Sequence, residues 1–156
     1  MDNDNLLYEA IRRYAARLLG NYDTALDITQ EVFVRLQTVQ QGGTSLRSEK
    51  AFVYQIARNL VIDHFRKKKM SDLPDGIPAD ATRFSPPLLA EQKETAQMIQ
   101  DKMNALPPRQ REVLRLKFQE GLKYAEIAEV IGEPVTTVAW LLHEAVAALR
   151  KELNER

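Results

Sequence analysis

The stretch Ala51–Lys69 combines helical spacing of apolar residues with a terminal run of cations, Arg66–Lys69. Its apolar residues recur at steps of three and four, which predicts a helix with one face toward a core: Phe52, Val53, Ile56, Ala57, Leu60 and Val61. Its polar residues share another side: Gln55, Arg58, Asn59, Asp63 and Arg66. Such a face beside a basic end suits phosphates and base edges. A solvated face with cations near the helix C-terminus explains the same residues, and this stretch leaves both interpretations open.

The charge distribution indicates where a nucleic acid would bind. The net charge of the 156 residues is zero, which argues against a generally basic surface. Residues 1–70 carry eleven lysines and arginines against eight acids, residues 71–104 carry three against six, and residues 105–156 carry eight against eight. We therefore expect nucleic-acid contacts mainly in the first segment.

The composition excludes several other classes of protein. The absence of cysteine excludes disulfides and thiolate metal sites, and two histidines give little support to an imidazole metal site. No apolar run is long enough to span a membrane, and the N-terminus is acidic rather than a cleavable leader. We expect a protein of a reducing compartment with no metal, cofactor or membrane insertion.

The rest of the chain predicts an all-α fold of two small domains. Leu6–Leu19 is expected to form a first helix, and Asp23 or Thr24 to cap a second helix that runs to Val39. Met70–Pro87 then holds four of the seven prolines among acidic residues, which disfavours both helix and core formation. We predict a first domain over residues 1–70, a flexible, proline-rich acidic linker over 71–88 and a second domain over 89–156.

The second domain has the pattern of a helix-turn-helix. A helix near Leu88–Ala105 precedes the helix Arg109–Glu120, and the core candidates of the latter are Val113, Leu114, Leu116 and Phe118. A short helix, Tyr124–Ile131, a turn at Gly132 and a longer helix, Val135–Leu153, follow. This order is typical of a helix-turn-helix, although simple helical hairpins use the same glycine turn.

Three blocks, in order, resemble extracytoplasmic function (ECF) sigma factors. DITQEVFVRL resembles the core-polymerase-binding helix of that family, and FVYQIARNLVIDHFRKKK resembles its promoter-melting, minus-ten-reading helix. LPPRQREVLRLKFQEGLKYAEIAEVIGEPVTTV resembles its minus-thirty-five-binding helix-turn-helix. The resemblance implies a cytoplasmic, non-enzymatic protein that binds core RNA polymerase and promoter DNA and directs transcription initiation. It also implies an anti-sigma factor as a partner, and neither a cofactor nor a small-molecule substrate.

The resemblance assigns residues of the first domain to two surfaces. The polymerase-binding residues would be Asp27, Gln30, Glu31 and Phe33. The residues facing minus-ten DNA would be Arg58, Asn59, Asp63 and Arg66, with Lys67, Lys68 and Lys69 on phosphates. A flipped base would enter a pocket beside Thr44–Lys50. Tyr54 either stacks on a base or packs in the core.

The expected recognition helix departs from the family pattern. Val135–Leu149 contains no lysine or arginine, and its outward side would comprise Thr136, Ala139, Trp140, His143, Glu144 and Ala147. Three accounts stay open. In the first, the helix reads DNA through Thr136, Thr137, Trp140 and His143 while phosphates are contacted by Arg109, Arg111, Arg115 and Lys123. In the second, Trp140 belongs to an interface with an anti-sigma factor or with the first domain. In the third, Trp140 is part of the core.

Two short segments indicate a subgroup of the family. VRLQT and IARNLVIDHFRK are similar to the iron-starvation and cell-surface-signalling group, which implies a membrane-anchored regulator and iron-uptake target genes.

The rival function is that of a sigma-like interaction module, which binds polymerase or an anti-sigma factor without reading DNA. The neutral net charge favours this rival, whereas the Arg58–Lys69 face opposes it. A salt-dependent shift with forked promoter DNA would discriminate between the two.

Overall fold

The computed structural model describes residues 2–69, 97–99 and 101–154. Across these residues the regular structure is helical: α1 Asp2–Leu19, α2 Tyr22–Gln41, α3 Glu49–Lys69, α4 Pro108–Leu114, a π-helical turn Arg115–Gln119, α5 Tyr124–Ile131 and α6 Val135–Asn154. Residues 97–99 and 101–104 are also helical. The all-α prediction is confirmed. The linker predicted over 71–88 and the first part of the helix predicted near Leu88–Ala105 lie outside the described residues.

The first three helices, α1, α2 and α3, pack on one another as an N-terminal bundle. Asn21, rather than Asp23 or Thr24, caps α2, because its Oδ1 accepts hydrogen bonds from the amides of Asp23 and Thr24 at 2.9 and 3.2 Å. The centre of the bundle is apolar and buried, as the three-and-four spacing predicts: Ile11, Ala15, Ala25, Val32, Val53, Ala57 and Val61.

The remaining helices, together with the π-helical turn, form a C-terminal unit in which α5 and α6 are the helix-turn-helix. Gly132 separates them with a φ of +71°, a conformation that glycine adopts without strain, and its amide donates to the Ala128 carbonyl at 2.9 Å. The buried residues of this unit include Val113, Leu114, Leu116, Leu122, Ile127, Val138, Leu142 and Ala145. The predicted helix-turn-helix is present.

The prediction that Phe118 belongs to this core is wrong, because its surface is 69% exposed. Phe118 lies in the π-helical turn, where the Glu120 amide donates to the Arg115 carbonyl, five residues back, at 3.0 Å. This wider turn departs from the 3.6-residue period on which the prediction rested. Leu116 therefore remains inside while Phe118 turns outward.

The N-terminal bundle and the C-terminal unit pack against each other, chiefly through α3 and α5. Buried residues of both belong to one continuous core. No helix in the described ranges is both long and apolar enough to cross a membrane. The surfaces of α2, α3 and α6 that the sequence singled out therefore belong to one packed arrangement.

Candidate polymerase and nucleic-acid interfaces

The exposed side of α3 carries most of the residues assigned to minus-ten DNA. Asn59, Asp63 and Arg66 lie three or four residues apart and are exposed, so they share one accessible face. Lys67 and Lys68 extend this face with exposed cations at the end of the helix. The side chain of Lys69 lies outside the described part of the chain. The structure thus brings together an amide, a carboxylate and cations on one side of one helix.

Arg58 is the exception to the predicted open face. Its side chain is only 14% exposed and forms an ion pair with Glu112 of α4, whose side chain is 8% exposed. Arg58 Nη2 also approaches the second Glu112 oxygen at 3.5 Å. Burial by itself would lower the pKa of Arg58, but the charge of Glu112 and its hydrogen bond outweigh burial and raise it. The expectation that Arg58 lies free beside Asn59 is therefore wrong for this conformation.

Tyr54 packs in the core rather than offering a ring to a base. It is 1% exposed, its ring meets that of Tyr14 edge-on at 5.0 Å between centroids, and its hydroxyl donates to Glu120 Oε1 at 2.7 Å. Burial, followed by the charge of Glu120, raises the pKa of Tyr54 well above its usual range. Glu120 also pairs with Arg17 of α1 at 2.6 Å. Of the two interpretations left open for Tyr54, the core interpretation is correct in this arrangement.

The loop before α3 is also held by the C-terminal unit. Ser48 caps α3, because its Oγ accepts a hydrogen bond from the Ala51 amide at 3.0 Å. The same hydroxyl donates to Glu126 Oε2 of α5 at 2.9 Å, and Lys50 Nζ lies 3.4 Å from the Gly121 carbonyl. The C-terminal unit thus contacts one side of the Thr44–Lys50 segment, which was expected to border a flipped base.

A pocket of about 540 Å³ lies between α3 and the C-terminal unit. It is lined by Arg58, Asn59, Ile62, Asp63, Arg66, Arg109, Ile131 and Glu133. Two of its three arginines already have carboxylate partners, since Arg58 pairs with Glu112 and Arg109 pairs with Glu133. The pocket therefore belongs to the junction of the two units and borders the α3 face.

The surface assigned to polymerase lies on α2. Asp27, Gln30 and Glu31 are exposed as expected. Phe33 differs, because it is half-buried and its ring lies 5.2 Å from that of Tyr8. Val34 instead completes the exposed stripe and is 57% exposed. The sequence could have shown that Val34 belongs to this stripe, because it stands seven residues after Asp27 and thus on the same side of the helix. The residue was missed because an apolar residue of an amphipathic helix usually faces the core. We call Asp27, Gln30, Glu31 and Val34 the α2 stripe.

Trp140 of α6 is 59% exposed, so the account that places it in the core is wrong. Thr136 and His143 are exposed beside it, whereas Thr137 is half-buried. Val138, Leu142 and Ala145 face inward as predicted, because they share the opposite side of the helix. The outward surface of α6 is therefore free for a partner, and its chemistry is apolar and hydroxyl-bearing rather than basic.

Two of the four cations expected to support α6 on phosphates are buried. Arg111 and Arg115 are 3% and 2% exposed, and Arg111 Nη2 donates to the Leu106 carbonyl at 2.9 Å. Burial lowers the pKa of Arg115. Arg109 and Lys123 are exposed and remain candidates for phosphate contacts. The prediction for Arg111 and Arg115 is wrong, because buried guanidinium groups cannot reach the phosphates of a strand bound at the surface.

The comparisons with known proteins first define a class. Residues 5–70 match the family described as Sigma-70 region 2, and residues 96–149 match Sigma-70, region 4. A helical bundle that matches region 2 and a helix-turn-helix that matches region 4 define the class of sigma factors, which are regulators of transcription.

Similar proteins narrow this class. The ECF RNA polymerase sigma factor SigW of Bacillus subtilis is 34% identical over 158 residues, which cover 94% of this chain and 84% of SigW. The ECF RNA polymerase sigma factor SigL of Mycobacterium tuberculosis is 31% identical over 145 residues, which cover 92% and 82% of the two chains. The chain belongs to the ECF family of RNA polymerase sigma factors, proteins that direct RNA polymerase to promoters.

A solved structure supports the fold. The sigma factor RpoE from Bartonella quintana, in complex with the anti-sigma factor NepR, matches with a TM-score of 0.66 at 21% identity. The match covers 99% of this chain and 97% of that one.

Proposed function

We propose that the α2 stripe binds core RNA polymerase while the exposed face of α3 holds the unpaired promoter strand at the minus-ten element. In this proposal residues 1–70 and 89–156 act as two domains joined by residues 71–88. The observation that carries the proposal is the exposure of Asn59, Asp63 and Arg66 on one side of a helix that ends in Lys67 and Lys68.

The α3 face has the chemistry that a single strand requires. Asn59 can form two hydrogen bonds with a base edge, and Asp63 can accept from an exocyclic amino group. Arg66, Lys67 and Lys68 place positive charge where the strand continues, which suits phosphates. Arg58 is part of this face in the proposal, provided that its bond with Glu112 is broken.

The α2 stripe has the chemistry of a protein interface. Asp27 and Glu31 supply negative charge, Gln30 supplies an amide, and Val34 supplies an exposed apolar contact at the C-terminal end of the stripe. This combination suits a basic partner surface with a small apolar pocket. Glu31 also forms an exposed ion pair with Arg35, one turn further along α2, at 3.0 Å.

The outward surface of α6 has the chemistry to bind either of two partners. Thr136, Trp140 and His143 could contact the minus-thirty-five element through base methyl groups, with Arg109 and Lys123 on phosphates. An anti-sigma factor is the other partner, because a large exposed aromatic is typical of an interface anchor and the structural neighbour RpoE is bound to one. A cytoplasmic location, a membrane-anchored regulator and iron-uptake target genes stay predictions from the resemblance.

The test is binding of forked promoter DNA in the presence and absence of core polymerase, over a series of salt concentrations. We expect a DNA complex that forms with polymerase and weakens steeply with salt, since phosphate contacts release counterions. Run-off transcription over a genomic library supplies the promoter. A complex with polymerase but no DNA-dependent shift and no transcript would instead support the rival function, an interaction module that does not read DNA.

A further inference from the structure

The outward surface of α6 is one continuous strip of side chains. Its members recur at steps of three and four along the helix and are all exposed: Thr136, Trp140, His143, Glu144 and Ala147. We call these five residues the α6 strip. Thr136 and Glu144 are eight residues apart, which is about 12 Å of helix and matches the length of three to four base pairs.

The α6 strip offers no bidentate donor for guanine. Guanine presents two acceptors in the major groove, O6 and N7, and arginine or lysine is the side chain that most often donates to both. The sequence from Val135 to Leu149 contains neither. Arg150 follows two turns after His143, about 10 Å further along the helix, whereas base edges are contacted by the first turns of a recognition helix.

The neighbouring cations do not replace such a donor. Of the four expected to contact phosphates, Arg111 and Arg115 are buried, and Arg109 pairs with Glu133 at 2.5 Å. Lys123 is exposed at the start of α5 and suits a phosphate. A duplex bound at α6 is therefore distinguished from other sequences by what the strip itself can contact, and that chemistry is apolar, hydroxyl-bearing and acidic.

Trp140 and Thr136 have the chemistry to contact thymine. The C5 methyl of thymine is an apolar group that no other base presents in the major groove, and side chains with apolar surface contact it. Trp140 is 59% exposed and stands one turn after Thr136, whose side chain adds a methyl and a hydroxyl. Contact between the indole and thymine methyl groups is favourable, because it removes apolar surface of both partners from water.

Glu144 has the chemistry to accept from an amino group and to reject guanine. A carboxylate accepts hydrogen bonds, and the major groove offers it N4 of cytosine or N6 of adenine as donors. Opposite guanine it faces two acceptors, so both sides lose water without gaining a hydrogen bond. The imidazole of His143 does not reverse this preference, because adenine N7 and thymine O4 accept its N–H as well as guanine does.

Resting on the proposed function, we propose that α6 reads the minus-thirty-five element of this chain's promoters through thymine methyl groups and exocyclic amino groups. Trp140 and Thr136 contact the methyl groups, and Glu144 accepts from adenine or cytosine. Guanine in the strand that faces Glu144 is rejected. The element therefore consists mainly of A·T pairs, which separates it from promoters read by recognition helices that carry arginine or lysine.

The first experiment determines which bases α6 selects. Holoenzyme assembled from the full chain and core polymerase is offered promoter DNA with a randomised minus-thirty-five region and a fixed minus-ten element, taken from the run-off screen. We expect the bound DNA to be enriched in A·T pairs, with thymine at fixed positions. Enrichment of guanine tracts would overturn the inference.

Two further outcomes separate the inference from the proposed function. If DNA binds but no base of the minus-thirty-five region is enriched, the inference fails while the proposed function stands, and the α6 strip is left to an anti-sigma factor. If no DNA binds at all, the proposed function fails and the inference fails with it.

The second experiment removes the methyl groups alone. Uracil replaces thymine in the selected element, which deletes the C5 methyl and keeps every hydrogen-bonding group. Affinity should fall about fourfold per contacted methyl, the effect of one buried methylene-sized group. Uracil in the spacer between the two elements is the matched control and should have no effect, and Trp140→Ala should make the holoenzyme less sensitive to the replacement. Equal affinity for the thymine and uracil elements would overturn the inference.

The third experiment changes the base preference. Glu144→Arg supplies a bidentate donor, so the affinity for guanine relative to adenine at the facing position should rise about tenfold or more, within the range of one bidentate base contact. Asp101→Arg is the matched control, because it makes the same charge change at an exposed residue on another helix of the unit. It should leave the base preference unchanged. An unchanged preference in Glu144→Arg would overturn the role assigned to Glu144.

Discussion

Arg58 of α3 and Glu112 of α4 lie 54 residues apart in the chain and form an ion pair that is mostly shielded from water. The bond joins the helix proposed to hold the promoter strand to the unit that carries the helix-turn-helix. In the structure this arginine closes the junction, whereas in the proposed function it contacts DNA, and substitutions can separate the two roles.

The single change Arg58→Glu should abolish promoter opening. The charge swap Arg58→Glu with Glu112→Arg should keep the junction closed but should not restore promoter opening. The pair re-forms with its charges exchanged, but the DNA face then presents a carboxylate to the strand. Separation of the two units by fluorescence transfer and promoter opening on a cognate template are the measurements. Arg58→Glu alone should open the junction. Recovery of promoter opening in the swapped chain would show that the cation at position 58 does not contact DNA.

Arg66→Ala should weaken binding of forked promoter DNA and reduce the dependence of log affinity on log salt by about one phosphate contact, a slope change of roughly 0.7 for a single strand. Arg13→Ala is the matched control, because Arg13 is also exposed but lies on α1. The slope follows from DNA binding measured at several salt concentrations with polymerase present. Identical slopes for the two variants would exclude Arg66 from the strand interface.

Val34→Asp should weaken binding to core polymerase by about tenfold or more, as expected when a charge replaces an apolar contact within an interface. Val34 is 57% exposed, so the thermal stability of the free chain should change little. Leu6→Asp, at an apolar residue of α1 that is 68% exposed, is the control. Polymerase affinity is measured by titration with labelled chain. Equal affinities of both variants would remove Val34 from the proposed stripe.

Trp140→Ala should weaken either promoter binding or anti-sigma binding by more than about 1 kcal/mol, roughly fivefold, as the loss of an interface aromatic commonly does. Because Trp140 is largely exposed, the fold should persist. Phe118→Ala removes another exposed aromatic of the same unit and serves as the comparison. The assay in which binding weakens identifies the partner of α6, and no change in either would leave its outward surface without a partner.

Tyr14 and Tyr54 should not form phenolate ions while the chain is folded, because burial raises the pKa of both well above their usual range. The raised pKa means that the folded state binds these protons more tightly than the unfolded state. Their contribution to stability is therefore complete below about pH 10, the unfolded pKa, and is lost as the pH rises above it. Ultraviolet titration followed with circular dichroism tests this. Tyr54→Phe should remove one late-titrating phenolate, and early titration of both tyrosines in the folded chain would contradict the burial.

The local features of the sequence were sufficient for much of the fold. The spacing of apolar residues in Ala51–Lys69 and in α6 predicted which sides face inward, and two of the three accounts left open for Trp140 placed it outward, where it lies. Gly132 and the lengths of its flanking helices predicted the helix-turn-helix. These predictions succeed because helical periodicity and turn conformation depend on neighbours within a few residues.

Errors arose where the arrangement of distant segments or an unusual turn decided the outcome. Arg58 carries the same chemistry as Arg66, but only the tertiary structure places Glu112 against one and leaves the other exposed. The π-helical turn redirects Phe118, which a regular period would bury.

The sequence by itself determined the helices, their inward faces and the family of this protein, because each is encoded in local spacing and in ordered blocks. Only the tertiary structure decided that Glu112 of α4 covers Arg58 on the α3 face. The physical reason is that an ion pair between residues 54 positions apart depends on how whole helices pack, and no local pattern records that packing.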